Sequence, residues 1–319
     1  MRFGPIGDLL RWILDLIYSL VGNYGWSVLI FTLLIRLFLM PLDIKSKRSM
    51  KRMQLVQPRI DELNKKYAND KEKLNKKMSE LYQKEKISPL SGCLPMLIQL
   101  PILFAMFAVM REIADEETVA LILNIKENIE AGVANFRPQL QGLLWIKNVF
   151  QPDSFMSTVV PAAGDALATI TRASGQMTTE MIETAKAFLQ TDAYRTWADA
   201  YGNAVVYSAP LLMWTISIPQ VFNGLFLLPI MSAVSQFFAN KFMNAGQQNA
   251  ASEKQNSSNA IMKWFFPLFS LWICASSNAA FALYWVFINF FQIIQQFIIG
   301  KLIDRSEEKK KLIEEAETK

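Results

Sequence analysis

Residues 26–42 read WSVLIFTLLIRLFLMPL, an apolar run with one charge, Arg36, inside it. A helix over this run rises about 25 Å, at the short end of what crosses a bilayer core. A charge at mid-depth there costs from about 3 kcal/mol on insertion scales to above about 10 kcal/mol for an isolated helix. Further apolar runs lie at 94–110, 225–239 and 264–299, with charged stretches between them. The composition is 52% hydrophobic with 22 Phe, 15 Met and 8 Trp, above the usual range for soluble domains and concentrated in blocks. The sequence therefore reads as an all-α polytopic membrane protein with about five transmembrane helices.

Working outward from Arg36, Pro41 and the charges after it end the first span, 25–42. Before it, residues 1–24 carry Leu9, Trp12, Ile13, Leu16, Ile17 and Leu20 at helical spacing, interrupted by Arg11 and Asp15. The pattern predicts an amphipathic helix on the outer membrane surface; an uncleaved anchor is the other reading. The stretch is too short to span and has no small-residue cleavage site, so it is not read as a signal peptide.

Residues 43–88 are charged and helix-forming. Met53, Val56, Ile60, Leu63 and Tyr67 recur three and four apart, as do Leu74, Met78 and Leu81 after a break at Asn69-Asp70. Two antiparallel helices zipped along these seams fit the pattern, with Pro58 bending the first arm. The second span is 89–111, containing Pro95 and Pro101, which membrane helices tolerate. The region 112–223 is acidic and loop-like, with an amphipathic helix expected over 178–201. The apolar stretch 204–221 is broken by Pro210 and Pro219, which points to an interfacial or re-entrant segment. Three more spans are expected at 224–240, 263–276 and 279–299, with a polar loop at 241–262, a tight turn at Ser276-Ser277-Asn278 and a charged tail at 300–319.

Charge orients this arrangement. Asp43–Ile87 carries 14 Lys/Arg against 7 Asp/Glu, and Glu112–Phe222 carries 6 against 12. Basic segments stay cytoplasmic, so the hairpin faces in. Five crossings then put the amino terminus outside and the carboxyl terminus in the cytoplasm.

The chain has no histidine, which removes the usual neutral-pH general base and the commonest metal ligand. Cys93 and Cys274 offer neither a metal-site spacing nor a disulfide framework and read as small apolar fillers. The sequence points to no catalytic residue, cofactor or metal, and so not to an enzyme. It points to no specific nucleic acid either.

No acid lies in any of these spans, so Arg36 is expected to lack a buried partner of opposite charge and to be solvated by water. Other spans supply polar positions: Thr32 one turn before Arg36, Gln99 in the second span, and Ser232, Gln236 and Asn240 four apart in the third. Asn289, Gln292 and Gln296 share a face of the fifth. Each alone could be interhelical glue, and a snorkelling Arg36 is the bland alternative. Together they suggest a hydrophilic concavity among apolar helices, where an acidic segment of an incoming chain is attracted by Arg36 and apolar parts exit to lipid.

Several blocks resemble the YidC–Oxa–Alb insertase family. They are NYGWSVLIFTLLIRLFLMPL and the long KSKRSMKRMQLVQPRIDELNKKYANDKEKLNKKMSELYQKEKISPLSGCLPMLIQLPILFAMF, then LLWIKNVFQPD, LLPIMSAVSQFFANKF and ALYWVFINFFQIIQQFII. The resemblance implies a five-helix insertase core, a hydrophilic groove open to cytoplasm and lipid, and a cytoplasmic helical hairpin at Asp43–Lys86. It implies nascent membrane proteins as substrates, membrane lipids as surroundings, and the Sec translocon and ribosome as partners. Arg36 matches the family's groove arginine, and Asn240 falls where relatives often have Gln. The chain departs from the pattern in an inserted segment at 154–222 and in the turn before ALYW. The large outer domain of Gram-negative relatives is not seen, so the resemblance implies a Gram-positive-like form, in a bacterial plasma membrane. A channel or carrier, or a membrane scaffold, is the competing reading of the polar helices.

Overall fold

The computed structural model describes residues 4–85, 94–171, 177–211, 214–244 and 253–317. In chain order these form α1 (Gly4–Val21), α2 (Tyr24–Lys66), α3 (Lys71–Lys84), α4 (Leu94–Glu130), α5 (Ala163–Ile170), α6 (Thr179–Leu189) and α7 (Asp192–Ala198), then β1 (Val205–Leu211), β2 (Trp214–Pro219), α8 (Leu227–Asn244), α9 (Glu253–Ser276) and α10 (Ala279–Glu317). Among the described residues the fold is all-α apart from one antiparallel strand pair. Cys93 lies outside the described residues.

Several helix boundaries differ from the sequence reading. Pro41 does not end the first helix; α2 runs through both Pro41 and Pro58 to Lys66. A proline removes one intrahelical bond and kinks the helix, and the strong helix formers beyond Pro41 carry it on. Likewise α4 continues to Glu130, so the region after residue 111 begins as helix rather than loop. Much of the expected polar loop at 241–262 is the end of α8 and the start of α9, and α10 continues through most of the tail. Among the described residues, two stretches, one in α2 and one over Ala279–Ser306 of α10, are long and apolar enough to cross a membrane by length and hydropathy.

The chain divides into two compact units. The first comprises Met1–Thr32, Ile102–Val234 and Leu268–Phe287, and the second Leu33–Pro101, Ser235–Pro267 and Ile288–Lys319.

In the first unit α1 buries Leu10, Leu14 and Ile17 and leaves Leu9, Trp12, Leu16 and Leu20 exposed. An ionic cluster ties it to α4. Arg11 Nη2 donates to Glu116 Oε2 at 2.8 Å, its Nε donates to Asp15 Oδ2 at 2.8 Å, and Nη1 lies 3.8 Å from Glu112. Burial alone would push the Arg11 pKa down, but the bonds to Glu116 and Asp15 reverse the direction and hold it charged. The extension of α4 supplies Val119, Ile122 and Ile125 to a core completed by Val160, Ile170, Phe188, Leu189 and Tyr194. The inserted segment therefore shares a hydrophobic centre with α4. Its expected helix over 178–201 is two helices, split at Gln190-Thr191, with Thr191 Oγ1 accepting from Tyr194 N at 3.4 Å.

The stretch 204–221 is neither helix nor loop. It forms the β1–β2 hairpin, with Ser208 opposite Ser217 and Leu211 opposite Trp214. Its β-branched and aromatic residues, Val205, Val206, Tyr207, Thr215, Ile216 and Ile218, favour strands, and its prolines bar a regular helix.

In the second unit the lower part of α2 folds back on α3. Val56 and Ile60 are buried against Met53, Met78, Leu81 and Tyr82. Asp70 caps α3 by accepting from Lys73 N at 3.0 Å, and Arg59 pairs with Glu85 at 2.6 Å.

Candidate functional site

Within the second unit α2 and α10 share a buried polar ladder. Arg36 is 6% exposed. Its Nη2 donates to the Ile288 carbonyl at 2.9 Å and to Gln292 Oε1 at 3.0 Å. The Ile288 oxygen has a second lone pair available beyond its helical bond. One helical turn further along, Gln295 Nε2 donates to Asp43 Oδ2 at 2.9 Å. Asp43 is itself buried, with Oδ2 4.0 Å from Arg36 Nη1.

One expectation is corrected here. Arg36 does have a buried acidic neighbour. Because α2 does not stop at Pro41, positions 36 and 43 fall seven residues apart on one helical face. At 4 Å and an effective dielectric of about 20, such a pair attracts by about 4 kcal/mol before desolvation.

The other sequence candidates fall at separate points on the helices. Asn289 Nδ2 donates to Ser235 Oγ at 3.4 Å, joining α10 to α8. Gln236 Nε2 donates to Asn240 Oδ1 at 3.1 Å along α8. Gln296 is half-buried, with Oε1 lacking a hydrogen-bond partner among the described residues. Gln99 is half-buried on α4. Thr32 is fully buried, but its hydroxyl donates to the Val28 carbonyl of its own helix at 2.7 Å. The structure thus brings Gln292 directly to Arg36, links Asn289 of α10 to α8, pairs Gln236 with Asn240 along α8, and spends the Thr32 hydroxyl on its own turn.

Sequence reasoning missed Asp43 and Gln295. Gln295 stands three residues after Gln292, a spacing that shares a helical face as well as four does. Away from this ladder, α2 exposes Leu33, Leu34, Leu37 and Phe38, and α10 exposes Phe290, Ile294, Phe297 and Ile298. Apolar exposure on this scale marks a surface that meets lipid or another apolar phase.

A second polar construction lies in the first unit, in the LLWIKNVFQPD stretch. Asn223 is fully buried, and its Nδ2 donates to the carbonyls of Asn148, Gln151 and Pro152 at 2.9, 3.2 and 2.9 Å. Asn148 N donates back to Asn223 Oδ1 at 2.8 Å. Asp153 accepts from Leu225 N at 2.8 Å, Leu228 N at 2.6 Å and Trp145 Nε1 at 3.2 Å. Its carboxylate thus caps the start of α8, where orphan N–H groups and the helix dipole favour an anion. Gly224 is required by this approach, since a Cβ there would lie 1.9 Å from Asp153 Oδ1. The same stretch accepts from the start of α10, Ala279 N to Gln151 O at 3.0 Å and Ala280 N to Val149 O at 2.8 Å.

Comparison with known proteins finds relatives over most of the chain. The membrane protein insertase YidC of Treponema denticola is 29% identical over 297 residues, 93% of this chain and 38% of that protein. The membrane protein insertase YidC of Francisella tularensis subsp. novicida is 49% identical over 105 residues, 33% of this chain and 19% of that protein. The chain thus spans well under half the length of these curated relatives. A crystal structure of an active YidC insertase aligns over 92% of this chain and 46% of its own, at 17% identity and a TM-score of 0.44. The family model described as the 60Kd inner membrane protein matches residues 16–307. The chain, an all-α membrane protein, therefore belongs to the 60Kd inner membrane protein family, the YidC–Oxa family whose motifs its sequence carries.

Proposed function

We propose that this chain is a membrane protein insertase and chaperone that receives nascent membrane proteins at the Arg36 ladder, alone or with the Sec translocon. The reading is carried by one observation: a buried arginine in an otherwise apolar stretch of α2, held by neutral amide groups and one weakly placed carboxylate. Such a cation is available to an incoming acidic segment. That segment takes over the position held by Asp43 and the bonds held by Gln292, while its apolar part leaves along the exposed faces of α2 and α10. Gln99, Gln236, Asn240, Asn289 and Gln296 supply further polar contacts along the opened path, with Thr32 one turn before Arg36 on α2. No bond is made or broken in this transfer, so it calls for binding and release rather than a catalytic group.

In this reading five helices cross the bilayer, through parts of α2, α4, α8, α9 and α10. The α2–α3 hairpin and the carboxyl terminus lie in the cytoplasm, where the hairpin meets substrate, ribosome or translocon, and the amino terminus lies outside. The distribution of charge supports this, since the Lys/Arg excess sits on the hairpin side.

The test is insertion into proteoliposomes of a single-spanning substrate with an acidic outer segment. Arg36→Ala is expected to cut insertion of that substrate while an analogue with a neutral outer segment still inserts. Equal insertion of both substrates by wild type and Arg36→Ala would overturn the ladder as the receiving site. Solute flux through the same proteoliposomes without insertion would favour a channel or carrier.

A further inference from the structure

We propose that the first compact unit holds a binding cleft for a small zwitterion, a primary ammonium and an oxyanion joined by a short chain beside an apolar body. Binding there is independent of the insertase reading.

The cleft has a volume of about 470 Å³, within the range of small-ligand sites. All of its lining lies in the first unit. One wall is a face of α4, where Phe107, Arg111, Asp115 and Thr118 follow at four- and three-residue spacing and so stand in one row. Asp165 of α5, Phe150 of the LLWIKNVFQPD stretch, and Asn278 and Phe281 at the start of α10 close the other sides.

Several neutral polar groups of the lining are tied into the frame. Asn278 Nδ2 donates to the Met110 carbonyl at 3.3 Å, and its Oδ1 accepts from Phe281 N at 2.9 Å. The Thr118 hydroxyl donates to the Ala114 carbonyl at 2.7 Å. These bonds hold the walls in place. The charges differ. Arg111 comes from α4 and Asp165 from α5, and both are exposed. Among the described residues neither side chain takes part in a hydrogen bond or ion pair. Asp115, 6% exposed, adds a buried carboxylate one turn from Arg111.

These charges define the guest. A guanidinium holds an oxyanion through two parallel N–H bonds, and a carboxylate accepts from an ammonium. A simple anion would meet two acids beside its one cation, and a simple cation would meet Arg111. A zwitterion satisfies both signs. A cleft with low-dielectric walls focuses the field of such groups and strengthens each contact over its value on open surface. A bare metal ion fits poorly beside the guanidinium, and the described residues contain no cluster of three or more acidic, Cys or His side chains able to hold one.

The remaining lining selects the apolar body. Phe107 and Phe281 pack edge to face with ring centroids 4.9 Å apart, and Phe150 and Met156 face the same space. Aromatic faces also attract an ammonium. A cleft of this size encloses a whole apolar amino acid, or the head of an aminophospholipid without its acyl chains. Both present the same zwitterion, and the experiment separates them.

The full chain, purified in an uncharged maltoside detergent, is titrated calorimetrically with L-leucine and with glycerophosphoethanolamine. Saturable one-to-one binding of at least one of them is expected. Binding of leucine alone assigns a free amino acid. Binding of glycerophosphoethanolamine alone assigns a lipid head, and binding of both assigns the zwitterion whatever its oxyanion. Ethanolamine, which lacks the oxyanion, and glycerophosphoglycerol, which lacks the ammonium, are expected to bind at least about tenfold more weakly. Arg111→Gln and Asp165→Asn are each expected to weaken the zwitterion about tenfold or more, the change that follows loss of one charge-assisted hydrogen bond. Both side chains are exposed, so both variants are expected to melt as wild type does. Glu180→Gln, exposed on α6 and outside the lining, is expected to bind as wild type. Failure of both zwitterions to bind would overturn the proposal. So would equal binding of ethanolamine or glycerophosphoglycerol, unchanged affinity in either cleft variant, or an equal loss in Glu180→Gln.

Discussion

Arg36 and Asp43 occupy one face of α2, two turns apart, with Nη1 of the guanidinium 4.0 Å from Oδ2 of the carboxylate. The distance is long for an ion pair, and each group spends its better hydrogen bonds on α10, Arg36 on Gln292 and Asp43 on Gln295. In the proposed insertase Asp43 is an internal stand-in for the acid that a substrate brings. Asp43→Asn keeps a hydrogen bond to Gln295 and removes the competing charge. It is expected to increase crosslinking of an acidic substrate segment to a photoreactive group near Arg36. Unchanged or reduced crosslinking would remove Asp43 from that role.

Gln292→Leu and Gln295→Leu separate the two halves of the ladder. The first removes the Gln292 acceptor from Arg36, and the second removes the Gln295 donor from a buried carboxylate. Loss of a hydrogen bond to a charged group costs about 1.5–3 kcal/mol. Both variants are expected to lower the unfolding midpoint in detergent by thermal melting. Only the Gln292 variant is expected to alter the preference for acidic over neutral substrates in the reconstituted assay.

Asp153 caps α8 from outside that helix, so Asp153→Ala leaves Leu225 N, Leu228 N and Trp145 Nε1 without their acceptor. A cost of about 1–3 kcal/mol is expected for orphaning buried donors, read as a lower melting temperature. Asp153→Asn retains one acceptor oxygen and is expected to melt between wild type and the Ala variant.

Glu117 gives a pH-dependent effect. Burial pushes its carboxyl pKa upward, Glu116 pushes the same way, and Arg11 opposes them less strongly. An acid whose folded pKa is raised favours the folded state while protonated. That contribution is complete below the unfolded pKa and is lost as pH rises through the folded one. Glu117→Gln is therefore expected to raise the melting temperature at neutral pH and to lose that advantage in acid. Melting curves at the two pH values check the sign.

How far the sequence could be read depended on which physical signal each element carried. The apolar run around Arg36 and the seam through Val56 and Ile60 were legible because burial imposes a periodic pattern. The continuation of α2 past Pro41 was not, since a proline either ends a helix or merely kinks it, and the packing of the next turns decides which. That one boundary hid Asp43, because a residue placed beyond a helix end has no face to share with Arg36. Gln295 was passed over for Gln296 because three- and four-residue spacings both return to nearly the same face. The β1–β2 hairpin was obscured by prolines within an apolar stretch, which argue against helix without specifying strand. Asp153 and Asn223 were visible as letters, but their roles exist only where distant backbone groups converge on them.

That convergence has one more consequence. Gly224 N donates to Ser154 O at 3.2 Å, and Asn223 N donates to Ser157 O at 2.8 Å, so the long excursion between them departs and returns at a single stitch. Shortening the chain strung between those points would leave the stitch itself in place. It would also uncover Val119, Ile122 and Ile125 of α4, so the excursion is a brace for that helix as well as a loop hung from one seam.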